Sequence, residues 1–333
     1  MKKNTEIQVG HLVDDIYKEK KLYTQKYYNY MIKREGASSK KIERISNCGG
    51  FLQFKANIDF SQKKVFSANF CKERGCPFCD WRKSIRNGQL LSIMAQGISD
   101  DFDYRFVFGT LSSVNCKASD IKTEIDKYNR SYRNLMRRKE ITKVSRGSVR
   151  KIEITYNRQR DDYNLHIHFL MAVNKSYFKS RYYLKIDKWL ELWRDCMDDM
   201  TIKNIFIRKA ENRNDSSPYL ELAKYSAKTT DLLNNGFEVF DTLMTALKGR
   251  QLLTYDGIFK DFKKKYDNGE LSKYVETDMT EYVWLITSIW SFKKQDYQSN
   301  VELFDFNEYE KQADDTRKLR KRMEPFLSVY KKE

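Results

Sequence analysis

Three groups of residues in this sequence have the types and spacing to do chemistry. The first is Cys48, Cys71, Cys76 and Cys79, a C-x22-C-x4-C-x2-C arrangement. A C-x2-C pair lets two thiolates reach one tetrahedral ion, and Cys71 with Cys48, across an expected hairpin, completes a four-sulfur set with bonds of about 2.3 Å. Four sulfurs leave no open position, so an ion here, expected to be Zn2+, would be structural; buried thiols without metal are the alternative. The second group is His166-Ile167-His168. Alternate residues of a strand leave the same face, so the two imidazoles stand side by side while Ile167 points away. A hairpin with the preceding strand would bring Glu153 alongside as a third ligand, and one residue of slip would turn it away. Two histidines and a carboxylate suit an ion that must also touch substrate, such as Mg2+ or Mn2+. The third group is Glu221, Tyr225 and Lys228. On a helix, residues three and four apart share a face, so a carboxylate, a phenol and a cation project together. Tyrosine is a poor nucleophile at its free pKa of about 10, but a nearby cation and a metal-polarised phosphate make in-line attack on a phosphodiester feasible. An exposed helix face with a ladder of ion pairs would carry the same residues. Cys116 and Cys196 fall in strand-end and helix patterns and read as packing residues.

The elements that must position these groups follow from periodicity. Residues 11–33 read as a polar, Lys- and Tyr-rich helix, stopped by the Gly- and Ser-containing stretch 35–39. Residues 51–58 and 64–68 look like a hairpin, and 81–95 like a helix. A strand is expected at 104–114, and a helix at 119–140 with Ile121, Ile125, Tyr128, Tyr132 and Leu135 on one side. Residues 149–156 and 165–173 form the expected strand pair around a polar turn at 157–164. The run 165–173 is apolar except for the two histidines, as in a central strand. A helix at 184–197, a short strand at 202–207 and a helix at 219–233 begun by Pro218 complete the order β-α-β-β-α-β-α. That order matches an α+β fold with a ferredoxin-like antiparallel sheet and helices on one face. The rest, 234–333, is expected to be mostly helical with a basic tail that includes Arg317, Lys318, Arg320, Lys321 and Arg322.

Composition limits the function classes. The 333 residues carry 63 Lys and Arg against 46 Asp and Glu, a formal charge of +17, which points to a polyanion, nucleic acid first, or to a merely solvated basic surface. Apolar residues reach 40% and aromatics 14%, enough for a core, so disorder throughout is excluded. Only 13 Gly and 3 Pro exclude collagen-like and linker-dominated chains. Six cysteines are too sparse for a disulfide scaffold. No window approaches eighteen uninterrupted apolar residues and residues 1–10 lack the apolar core of a signal peptide, so a soluble, intracellular protein without a membrane partner is expected.

The motifs together resemble the HUH endonuclease superfamily, and within it the bacterial plasmid rolling-circle replication initiators. The resemblance rests on His166-Ile167-His168, Phe108-Gly109-Thr110-Leu111 upstream and Tyr225-x-x-Lys228 downstream. Cys71, Cys76-Pro77-x-Cys79-x-Trp81-Arg82, Ile154-Thr155-Tyr156-Asn157 and Ala172-Val173-Asn174-Lys175 are also similar in order and spacing. It covers about residues 48–231. It implies that Tyr225 attacks the scissile phosphate at the origin nick site, leaving a 5′-phosphotyrosyl link and a 3′-hydroxyl that primes replication. It also implies that His166, His168 and Glu153 hold the catalytic Mn2+ or Mg2+, and that Glu221 acts at termination. Two departures stand out: Asn164 replaces a further histidine two residues before the pair, and Thr110-Leu111-Ser112 stands where Thr-Leu-Thr is usual.

On this reading, residues 1–47 form a helical arm, 48–100 a four-cysteine zinc-binding region, 101–233 the nicking and strand-transfer domain, and 234–333 a helical basic region for origin binding. The partner is plasmid origin DNA, single-stranded at the nick site, in the bacterial cytoplasm, with a host helicase, a polymerase and a second copy of the chain as further candidates. A non-catalytic zinc-containing DNA-binding regulator would need only the charge and the cysteines. A related transposase or relaxase would share the chemistry.

Overall fold

The computed structural model describes residues 12–210, 219, 222 and 229–304. In chain order these form helices α1 (Asp15–Lys33) and α2 (Ser39–Asn47), strands β1 (Phe51–Ala56) and β2 (Lys63–Ala68), and helix α3 (Pro77–Phe102). Strand β3 (Tyr104–Ser112), helices α4 (Ile121–Met136) and α5 (Lys139–Thr142), and strands β4 (Ser145–Asn157) and β5 (Asp162–Asn174) follow. Then come α6 (Ile186–Met197), β6 (Phe206–Lys209), α7 (Thr229–Asn234), α8 (Phe237–Leu247), β7 (Leu253–Tyr255), α9 (Ile258–Asp267), β8 (Trp284–Ser291) and β9 (Asp296–Leu303). The chain is α+β with two antiparallel sheets. Instead of four consecutive segments it forms two compact units, one from residues up to Asp80 together with those from Thr277 on, the other from Trp81 to Glu276.

The first unit is built on a sheet in the order β2-β1-β8-β9. Strand β1 is buried along almost its whole length, so it needs partners on both edges. Strand β2 takes one edge, and β8 takes the other, from Phe51 opposite Ile289 to Ala56 opposite Trp284. This corrects the expectation of a mostly helical 234–333. Among the described residues that region also carries β7, β8 and β9. Trp284 to Trp290 is a short, mostly apolar run interrupted by Thr287 and Ser288, which periodicity does not assign to helix or strand, and the partner that decides it lies far earlier in the chain. The basic tail and residues 1–11 lie outside the described residues. Helix α1 packs Tyr17 edge-on against Phe54 at 5.1 Å. Its Lys21 is buried and donates to the carbonyls of Ser46 at 3.1 Å and Cys48 at 2.8 Å, a cation at the carbonyl end of α2.

The second unit holds a five-stranded sheet in the order β6-β3-β5-β4-β7. Strands β4 and β5 pair from Asn157 opposite Asp162 inward, so the expected polar turn shrinks to residues 158–161, with Asp161 left-handed (φ 47°). Strand β3 pairs antiparallel with β5, and β5 with β4, so β3 and β4 run parallel with β5 between them. Both faces carry helices, where one was expected. On one face Phe169 meets Tyr132 of α4 at 6.0 Å and Trp189 of α6 at 5.6 Å. On the other, Phe106, Phe108, Val149, Leu170 and Ala172 pack with Leu91 and Met94 of α3 and Phe259 and Phe262 of α9. The apolar run of β5 supplies side chains to both faces, so each needs a cover. At Gly109 a Cβ would stand 2.2 Å from Phe169 Cε1, so the ring packs directly on strand β3.

Candidate functional site

The histidine pair sits near one end of β5, on the same sheet face as Phe108, Val149 and Leu170. Glu153 of β4 stands directly across from His166, and Thr110 of β3 across from His168. Glu153 Oε2 lies 3.0 Å from His168 Nε2 and 3.6 Å from His166 Nε2. Octahedral bonds of about 2.1 Å place neighbouring donors about 3.0 Å apart, so the three side chains fit one divalent ion. Burial alone would raise the Glu153 carboxyl; hydrogen bonds from His166 and His168, with their charge, outweigh it and hold the group well below the usual carboxylate range. The carboxylate and His168 are buried while His166 is half-buried, so the cluster reaches solvent through His166.

Neighbours orient both rings. His168 stacks on Phe108 at 6.0 Å and meets the edge of His166 at 4.8 Å. An imidazole that binds metal through Nε2 carries its hydrogen on Nδ1. His168 Nδ1 lies 3.0 Å from Thr110 Oγ1, and His166 Nδ1 lies 3.2 Å from Asn164 Oδ1. Asn164 donates to Asn115 Oδ1 at 2.9 Å, and Asn115 to Asp162 Oδ1 at 2.6 Å. Sequence reasoning treated Thr110 and Asn164 as motif letters; only strand pairing shows them as holders of the rings. It also passed over Lys151, buried, opposite His168 and two residues from Glu153 on the same face. Strand alternation was the signal that could have found it.

The helix expected to carry Glu221, Tyr225 and Lys228 is described only in part, and those three residues lie outside the described set. Its Tyr219 and Leu222 are helical, and Leu222 is fully buried in the cluster with Phe108 and Leu170, on the histidine face of the sheet.

A second cluster lies in the first unit. The Sγ atoms of Cys48 and Cys76 are 3.6 Å apart, those of Cys48 and Cys79 3.5 Å, and those of Cys71 and Cys79 3.6 Å. Tetrahedral bonds of about 2.3 Å imply an edge of about 3.8 Å, so the four sulfurs fit one ion. The Cys71 N–H points to Cys48 Sγ at 3.4 Å and the Lys72 N–H to Cys79 Sγ at 3.2 Å; hydrogen bonds from the neighbouring thiols, with that from Lys72, hold the Cys79 thiol far below its ordinary range. Lys72 and Gly75 are left-handed (φ 59° and 81°), which folds the Cys71–Cys76 loop around the sulfurs. Cys116 and Cys196 are half-buried and outside both clusters.

Residues 62–317, well over half of the chain, match a family model described as replication protein. The chain belongs to this replication protein family. The resemblance to rolling-circle replication initiators is thereby borne out, and plasmid replication initiation with origin DNA as partner follows from it. A Staphylococcus aureus protein named Protein rep is 40% identical over 220 residues, 66% of this chain and 95% of that protein. Proteins of the same name from Lentilactobacillus hilgardii and Streptococcus pneumoniae are each 30% identical, over 84% and 80% of this chain and 94% and 87% of their own. No solved structure matches. The replication protein match spans Glu153, His166 and His168 and three of the four cysteines. No helix among the described residues is long and apolar enough to cross a membrane.

Proposed function

We infer that this member of the replication protein family starts rolling-circle replication by nicking one strand of the plasmid origin through a tyrosine. The observation that carries the reading is the convergence of Glu153, His166 and His168 on one sheet face, with Leu222 buried on that same face. Tyr225 follows Leu222 by three residues in the helix pattern, the spacing that keeps two side chains on neighbouring positions of a helix. The strand order supports a ferredoxin-like reading. In the unit's βαββαβ succession, the first strand (β3) and the second (β4) run parallel with the third (β5) between them, a split βαβ, and β6 flanks the first.

In the proposed reaction the Tyr225 hydroxyl oxygen bonds to the scissile phosphorus as the bond to the 3′-oxygen breaks. The product is a 5′-phosphotyrosyl ester and a free 3′-hydroxyl that primes synthesis. Mn2+ or Mg2+ held by Glu153, His166 and His168 would polarise the phosphate. Lys228 supplies positive charge that favours the phenolate. Glu221 activates a water or a terminal strand at termination, which limits the number of rounds. Thr110 and Asn164 keep the two imidazoles in place. The four cysteines would hold a structural Zn2+.

A supercoiled plasmid with the cognate origin and Mn2+ tests this. The wild type should relax it and leave a covalent adduct with DNA, and Tyr225→Phe should do neither. Adduct at full yield from Tyr225→Phe would end the assignment. Glu221→Ala should nick normally and fail to terminate; loss of nicking to the level of Tyr225→Phe would remove its separate role. Unaltered DNA with every divalent ion would favour the non-catalytic regulator.

A further inference from the structure

Strand β5, which carries the histidines, and its neighbour β3 reach, at the extremity away from the histidines, an open concavity of about 680 Å³. Strand β3 begins there and β5 ends there, since Tyr104 pairs with Asn174. Helix α3 stops at Asp103, left-handed at φ 53°, whose N–H returns to the Ser99 carbonyl at 2.8 Å. Aspartate tolerates that conformation. The abrupt turn sets Phe102 and Tyr104 side by side, their rings stacked at 5.4 Å and 22°. Phe102 is 49% exposed, so aromatic surface is left for a flat partner. Also on its lining, the Lys209 ammonium lies 5.6 Å from the centre of the Phe178 ring.

Charge completes the pattern. Arg105, Lys175, Lys179 and Lys209 line the concavity, with Asp103 the one acidic lining residue among the described residues. Asp103 pairs with Arg105 at 2.8 Å and Lys175 at 3.0 Å, and the four cations leave the described lining with a positive excess. A purely apolar ligand would not use these cations, and a duplex keeps its bases stacked inside and cannot offer one to an aromatic wall. A nucleotide in a single strand satisfies both the rings and the cations.

We propose that this concavity binds single-stranded DNA several nucleotides away from the cleaved linkage, with a base on the Phe102–Tyr104 wall and phosphates on Lys179 and Lys209. The identity of that DNA as the origin strand rests on the nicking function above. Six strand steps of about 3.3 Å separate Tyr104 from Thr110, so the site lies about 20 Å along the sheet from the histidines, within reach of the same DNA strand.

The test is fluorescence anisotropy of the full chain with labelled oligothymidylate, in chelator and at several salt concentrations. Lys179→Glu combined with Lys209→Glu should weaken binding at least about 10-fold and lower the slope of log K against log salt by about 1.4, two contacts at about 0.7 each. Phe102→Ala should weaken binding about 5- to 100-fold with the salt slope unchanged, and Phe102→Trp should restore it. Wild-type affinity and slope in both the charge and the Phe102→Ala variants would overturn the proposal. So would competition by thymidine monophosphate or by duplex as effective as by the oligomer. Binding is read without metal or cleavage, so a failure of the Tyr225 test and a failure here are told apart.

Discussion

The two ligand clusters differ in what they leave open. Cys48, Cys71, Cys76 and Cys79 supply four donors, three of them buried, and a tetrahedral ion among them has no position for anything else. Glu153, His166 and His168 supply three donors with one histidine half-buried, and an octahedral ion among them would keep positions for substrate. The cysteines tie together loop and helix ends in a unit whose sheet is assembled from distant parts of the chain. The histidines stand on the middle strand of a sheet that is already held by helices on both faces. One cluster is suited to hold the fold and the other to use it.

The largest effects should separate those roles. Cys76→Ser should lower the metal content and abolish the cooperative unfolding of the first unit, since binding at structural zinc sites is on the order of 10 kcal/mol. Metal per chain by atomic emission and a thermal melt check this, and full metal content with an unchanged melt would make the cluster packed thiols. His168→Ala should leave zinc content and melting nearly unchanged while cutting Mn2+-dependent nicking on the order of 1000-fold, the several kcal/mol that phosphate polarisation supplies. A matching loss of stability would blur the contrast.

Smaller effects sharpen it. Thr110→Val removes the acceptor at His168 Nδ1 with little change of volume and should weaken Mn2+ binding about 10- to 100-fold, measured by calorimetry. Asn164→Leu should cost about 10-fold, the low end of that range, because His166 is the more exposed ring and water can replace the lost acceptor. An Asn164→Leu effect larger than that of Thr110→Val would reverse the ranking of the two histidines.

Much of the site was legible because it depends on short-range order. Residues 166 and 168 share a face whatever the rest of the chain does, and a hairpin with a polar turn brings Glu153 across from them if the register holds. The C-x2-C spacing likewise announces a sulfur site before any fold is known. The second sheet was illegible for the opposite reason. The run from Trp284 to Trp290 has no periodicity that distinguishes strand from buried helix, and its partner β1 is remote in sequence. Helices on both sheet faces were missed because the apolar run of β5 reports burial, not which element provides it. Thr110 escaped notice as a ring-holder because a hydroxyl acquires that role only from a neighbouring strand.

By itself, then, the sequence determined the donor types, their local spacing and the basic charge, since these are properties of residues and of neighbours a few positions apart. The tertiary structure alone decided that one end of the chain completes the sheet begun by the other, and that Thr110 and Lys151 stand beside the histidine cluster. It also decided that Phe102, Phe178 and Lys209 line one concavity. Those juxtapositions come from non-local strand pairing and helix packing, in which the burial of apolar surface brings together residues that no local pattern connects.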